Sequence, residues 1–264
     1  TASFDVATSV ASIVSVSSAT PAVAGTTVAL TATTDTLTGS AGADTFNSVF
    51  TADAADGTTI APGDSISGGA GVDTVSVSVS GAATNAALAT LSAVSTTDVE
   101  KFYLSNFETS SNDHTVDTVL MNGLTNVGLS SSGTAGDVNF ANLKNIVEAD
   151  MSNGSANLTL TYGTTVVAGT ADAQTLNVSN LTTGTFLAQG TEAITINGSL
   201  VKSTLADVQS NALKSVTFTG DQALTVAASI DFAATLNGTA IDGTIDASAL
   251  TGALTTTATS AQTV

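Results

Sequence analysis

One nine-residue phrase, written twice, restricts this chain more than anything else in it. It lies within TLTGSAGADTF at 36–46 and again within SISGGAGVDTV at 65–75. Aligned on their aspartates, the two copies become GSAGADTFN (39–47) and GGAGVDTVS (68–76). The second matches the repeating pattern GGxGxDxUx, with U a large apolar residue, at every constrained position, and the first departs only at Ser40. Nine residues before each stand LTATTDTLT (30–38) and TIAPGDSIS (59–67). Both have an aspartate in the sixth place, Asp35 or Asp64, and an apolar residue in the eighth, Leu37 or Ile66. Each phrase is therefore the better half of a tandem pair. Such a unit spends its first residues on a turn and its last on a short strand, so it can bury its apolar position only by stacking. The spacing predicts one coil at 30–47 and another at 59–76, with Leu37, Phe46, Ile66 and Val75 pointing inward. Residues 48–58 are expected to bulge out between them.

Glycine suits these turns because they need either positive φ or a close backbone approach. Stacking the coils brings Asp44 beside Asp73 on one edge and Asp35 beside Asp64 on the other. Carboxylates and turn carbonyls are hard oxygens, and calcium takes about six to eight of them. The expected calcium ligands are Asp35, Asp44, Asp64 and Asp73 through their carboxylates, with Gly39, Ala41, Gly69 and Gly71 contributing turn oxygens. Asp53 and Asp56 of the inserted segment could fold back as further ligands. Asp242 and Asp246, in TAIDGTIDAS, are the first candidates for a second site. The plainer alternative is that each aspartate caps a backbone N–H of its own turn.

Charge narrows the partners. Asp and Glu number 22 against four basic residues, all lysines (Lys101, Lys144, Lys202 and Lys214), for a formal charge of −18. Nucleic acid and anionic membrane surfaces both demand a basic patch, so neither is an expected partner, whereas cations are. No cysteine is present, which removes disulfides and thiolate metal sites. There is no arginine, one histidine and no GxSxG, HExxH or P-loop, so no enzyme activity is expected. That histidine, His114 in SSNDHTVD, reads as a surface loop residue. No apolar run reaches the ~18 residues of a membrane helix, and the first residues lack the order of a secretory signal.

The chain reads as three regions: an N-terminal strand or linker segment (1–29), the glycine–aspartate region (30–97) and an irregular repeat region (98–264). In the third, short apolar strands recur at DVEKFYLSN, LTNVGLSSSG, LKNIVEADMSNG, TEAITINGS and LKSVTFTGD. Taking Phe102, Val127, Ile146, Ile194 and Val216 as equivalent gives steps of 25, 19, 48 and 22 residues, the long one leaving room for a unit around Leu176. Second short strands lie between them. A repeat near 20 residues with two strands per unit predicts an all-β solenoid of stacked short strands, with a β-sandwich as the alternative. Almost no helix is expected, at most one or two short ones, at 85–94 and 202–213, where Ala and Leu fall near helical spacing.

At TLTGSAGADTF, DSISGGAGVDTV and the later DASALTG (246–252), the chain resembles RTX-type calcium-dependent bacterial surface-layer proteins, the class typified by the Caulobacter surface layer. The specific motifs cover only residues 35–76, and two good nonapeptides are few for a long β-roll. The resemblance implies calcium-ordered solenoid architecture, type I secretion and assembly into a lattice. The expected function is structural: an extracellular, cell-surface protein that self-assembles with calcium into a two-dimensional lattice. Its partners would be copies of itself and cell-surface polysaccharide. The alternative is a calcium-stabilised adhesin or biofilm-matrix module of a larger secreted protein.

Overall fold

The computed structural model describes residues 23–51, 57–81, 94–108, 113–133, 136–233, 235–236, 239–240 and 243–256. Its described residues form a parallel β-solenoid without a helix. A ten-stranded sheet runs along one side, built from the strands that begin at Thr27, Thr45, Thr74, Lys101, Asn126, Glu148, Ala173, Ala193, Ser215 and Thr244. Strands returning between them make a three-stranded sheet in the N-terminal part and a seven-stranded sheet in the rest. Every ladder is parallel except the two-residue pairing of Thr235–Leu236 with Thr239–Ala240. A β-sandwich, which pairs its strands antiparallel, is thereby excluded.

The sequence drives this arrangement by period-two alternation. In Thr74–Ser80 (TVSVSVS) and Lys101–Asn106 (KFYLSN) every second side chain is buried. One inward row runs along the long sheet through Phe46, Val75, Phe102, Val127, Ala149, Leu176, Ile196 and Phe218, and each of these is completely buried. Burying one such large side chain contributes about 1.5–3 kcal/mol, so each coil adds its increment only once a neighbour covers it. Phe102 and Phe140 meet edge to face across the core, with ring centroids 6.0 Å apart.

Three expectations change. The segment 202–213 is not helical: Ser203–Gln209 is a strand. Its ladder shifts register between Leu205 and Asp207, so the buried Leu205 and Val208 stand three apart and imitate a helical period. The other expected helix, 85–94, lies outside the described residues except for the buried Val94. The inserted segment does not bulge at once, because Thr45–Thr51 pairs along its whole length with Thr74–Ser80, and Phe50 packs against the core. Finally, Ala149 rather than Ile146 is equivalent to Val127, while Ile194 and Val216 pair with each other one pleat away from the row of Phe102.

Polar side chains form their own row on the outer face of the long sheet. Tyr103 donates its hydroxyl to Asp150 at 2.5 Å, and Asn177 donates to the other oxygen of Asp150 at 2.8 Å. Asn197 donates to Asn177 at 3.2 Å. Burial first, and then the hydrogen bond to Asp150, hold the Tyr103 hydroxyl well above the ordinary tyrosine range.

Candidate metal centre

The two glycine–aspartate phrases stack in register. Phe46 pairs with Val75 and Leu37 with Ile66, so Asp44 lies over Asp73 at one corner and Asp35 over Asp64 at the other. All four aspartates are buried. A corner is where the parallel ladder has not yet begun, so its backbone N–H groups need other acceptors. The carboxylates supply them, each reaching back one coil. The Asp35 N–H donates to Asp64 Oδ1 at 2.9 Å, the Asp44 N–H to Asp73 Oδ1 at 2.6 Å and the Asp73 N–H to Glu100 Oε2 at 2.7 Å. The same geometry recurs far from any glycine phrase, where the Asp172 N–H donates to Glu192 Oε2 at 2.8 Å. Capping is therefore a general device of this solenoid.

The four aspartates differ in what remains after capping. Asp35 accepts from the N–H and hydroxyl of Thr31, and Asp64 from the N–H groups of Asp35 and Ala61. Asp44 accepts the N–H and hydroxyl of Thr26 at 2.5 and 2.6 Å, and the N–H of Ser40 at 2.6 Å, with the Ser40 hydroxyl beside both oxygens. The Thr26 hydroxyl is the largest influence on its acidity; with the Thr26 and Ser40 N–H groups it outweighs the opposing effect of burial and holds the carboxyl at about 2. Asp73 has glycine at the place where Asp44 has Ser40. Its Oδ2 is buried and has no hydrogen-bond partner. Burial, followed by the charges of Glu100, Asp44 and Asp98, pushes Asp73 above the usual aspartate value despite the Asp44 N–H.

Glycine makes the approach possible. A Cβ on Gly68 would sit 1.8 Å from the Asp98 carbonyl oxygen and 2.4 Å from Asp73 Oδ2, so these two oxygens converge over a bare Cα. At Gly39 the equivalent pair is the Gly68 carbonyl oxygen and Asp44 Oδ2, at 2.1 and 2.5 Å. Gly71 serves differently, holding φ at 128° in the turn. A hard cation fits the Asp73 corner on the chemistry of its donors: an unpartnered carboxylate oxygen, a carbonyl oxygen aimed at the same point and a second carboxylate on Glu100. Among the described residues no three His, Asp or Glu side chains gather as a metal cluster, so carbonyl oxygens would form part of any ligand set.

Of the other expected ligands, Asp35 and Asp64 stand at the opposite corner. Ala41 is exposed on its turn. Asp246, within the strand Thr244–Leu250, accepts the N–H of Ser248 at 2.8 Å, and this local bond holds its carboxyl below the ordinary aspartate value. Asp53, Asp56 and Asp242 lie outside the described residues. Sequence reasoning missed Glu100 and Asp98. A signal was there: Val99-Glu100-Lys101-Phe102 aligns with Val72-Asp73-Thr74-Val75, one coil on. His114 is a correction too. It is 2% exposed, opens the strand His114–Asp117, and places Nε2 2.9 Å from Glu108 Oε2. Compared with known proteins, the chain matches no protein-family model and no curated sequence.

Proposed function

We propose that this chain is a structural protein of the bacterial cell surface, a solenoid whose coils are locked by calcium and whose copies assemble into a calcium-dependent two-dimensional lattice. The observation that carries the reading is the buried, unpartnered Oδ2 of Asp73 facing the Asp98 carbonyl, where the second glycine–aspartate coil meets the coil of Glu100. Asp73, the Asp98 carbonyl and Glu100 would hold the ion, and Asp44, saturated by Thr26 and Ser40, would act as the rigid floor beneath them. Bound calcium supplies the positive charge that this cluster of carboxylates lacks. Without it, Asp73 must either stay protonated or keep a buried charge beside Glu100. Folding of this corner is thereby linked to the cation.

Charge extends the reading to assembly. A molecule of formal charge −18 repels its copies over a Debye length of about 8–10 Å at physiological salt, so ordered contact requires bridging cations or neutral faces. The test is electron microscopy of the purified chain with millimolar calcium, with chelator, and with chelator plus sodium chloride at matched or higher ionic strength. Sheets that form only with calcium and dissolve in chelator support the reading. Sheets formed by sodium chloride alone would reduce calcium to a screening ion and overturn it. A monomer under all three conditions would favour the adhesin or matrix module.

A further inference from the structure

Asparagine followed by glycine occurs four times, at 122–123, 153–154, 197–198 and 237–238. In this dipeptide the glycine nitrogen can attack the side-chain amide of the asparagine before it, because no Cβ stands in the way. The last pair lies outside the described residues. The fold treats the other three differently.

Asn197–Gly198 belongs to the long sheet. Gly198 is buried and paired in the ladder with Gly220, and the Asn197 amide donates to Asn177 at 3.2 Å. Asn153–Gly154 is clamped at a corner between coils. The Asn153 N–H donates to the Ser179 carbonyl, its side-chain oxygen accepts from Asn180 at 3.0 Å, and the Gly154 carbonyl accepts from Thr182. A Cβ on Gly154 would lie 2.3 Å from the Ser132 carbonyl oxygen, so that glycine has no room to move. Asn122–Gly123 is in neither situation. Both residues are exposed and outside any strand. The Asn122 N–H is anchored on the Thr96 carbonyl at 2.9 Å, but the Gly123 N–H reaches no acceptor among the described residues. A Cβ on Gly123 would come no closer than 3.4 Å to its surroundings, which leaves the glycine free to turn.

The amide it would attack is already polarised. Lys144 Nζ donates to Asn122 Oδ1 at 2.7 Å, so a positive charge faces the oxygen on which negative charge builds during attack at Cγ. Asn153 Oδ1 has only a neutral amide in that place. Asn122, Gly123 and Lys144 also line a hollow of about 100 Å³, which has room for water.

We propose that Asn122 is a site of self-modification, at which the chain converts its own asparagine to aspartate and isoaspartate. The Gly123 nitrogen bonds to Asn122 Cγ and closes a cyclic imide. The bond from Cγ to Nδ2 breaks, and the Gly123 proton leaves through solvent with the departing ammonia. Water then opens the ring. Addition at Cγ restores the main chain with an aspartate side chain, whereas addition at the main-chain carbonyl carbon gives isoaspartate. Either product adds a carboxylate beside Lys144. Isoaspartate also lengthens the main chain by one methylene between two anchored points, the Asn122 N–H on Thr96 and the Thr125 N–H on Glu100.

The full chain, held at 37 °C and pH 8 and sampled over weeks, is digested and its Asn–Gly peptides are followed by mass spectrometry, with the chain in urea as the unfolded reference. In urea the three described pairs should react at similar rates. In the folded chain Asn122 should react fastest, with Asn153 and Asn197 well behind. Lys144→Met keeps the apolar stem and removes the donor; it should slow Asn122 by about threefold or more in the folded chain, as expected for an exposed charge, and leave the rate in urea unchanged. Lys144→Arg, which keeps a cationic donor, should react like the native chain. Asn153 or Asn197 reacting as fast as Asn122 in the folded chain, or an Asn122 rate unaltered by Lys144→Met, would overturn the proposal.

Discussion

Replacing Asp73 by asparagine should stabilise the calcium-free protein. In the native chain Asp73 Oδ1 takes the Asp44 N–H at 2.6 Å, while Oδ2 is buried with nothing to accept from. A buried acceptor left unsatisfied costs about 1–3 kcal/mol, and more if it carries charge. Asparagine keeps the first bond. It also replaces the orphan acceptor with an amide donor facing the Asp98 carbonyl, and it removes a charge from beside Glu100. The expected gain without calcium is about 1–3 kcal/mol. For a chain of this size that raises the midpoint by about 2–4 °C per kcal/mol. Urea unfolding followed by far-ultraviolet circular dichroism, at pH 7 in chelator, reads it as a higher midpoint at unchanged slope. With calcium the order should reverse, because only the native chain gains from the ion, by about 4.1 kcal/mol at a thousand times the dissociation constant. A variant no more stable than the native chain in chelator would refute the argument that Oδ2 is an unmet acceptor.

The pH profile without calcium should have its maximum in mild acid. Asp73, raised above its ordinary 3.8, contributes stability when protonated and loses it as pH rises through its folded value. Asp44, held at about 2, contributes stability above 3.8 that is lost as pH falls towards 2. Thermal midpoints between pH 2 and 8 should trace this dome, and Asp73→Asn should flatten its neutral side. Gly68→Ala should cost about 1–3 kcal/mol or more, since its Cβ meets a backbone oxygen at 1.8 Å, and calorimetry should find its calcium binding lost. Leu200→Asn should stabilise by about 1 kcal/mol, measured by denaturant midpoint, because Leu200 is 83% exposed and sits at φ 61° where preceding coils use asparagine.

The stacking of the two phrases was readable because two signals coincide. Aspartates at nine-residue spacing set the corners, and apolar residues two places later set the inward row, so Asp44 over Asp73 and Phe46 over Val75 follow together. Beyond residue 98 the corners vary in length and only the strands stay regular. That is why Ala149, inside the polar-looking EADMS, was passed over for Ile146. The third acid of the corner row was hidden by chemistry: Glu100 does Asp73's work without a glycine before it. The burial of His114 had a visible cue, since His114 and Val116 alternate with the polar Thr115 and Asp117. Which aspartate keeps a free oxygen was beyond the motif: the Ser40 hydroxyl lies beside both oxygens of Asp44, and Gly69, at the equivalent place, has no hydroxyl to offer Asp73.

Amide hydrogen exchange of the native chain, with calcium and with chelator at equal ionic strength, tests the central claim most directly. The account predicts that calcium slows exchange most in the segments 68–74 and 97–101, which carry Gly68, Asp73, the Asp98 carbonyl and Glu100. The saturated corner of Asp35 and Asp64 should change less. Identical exchange in both conditions, or protection centred on Asp35 and Asp64 with none at Asp73, would contradict it.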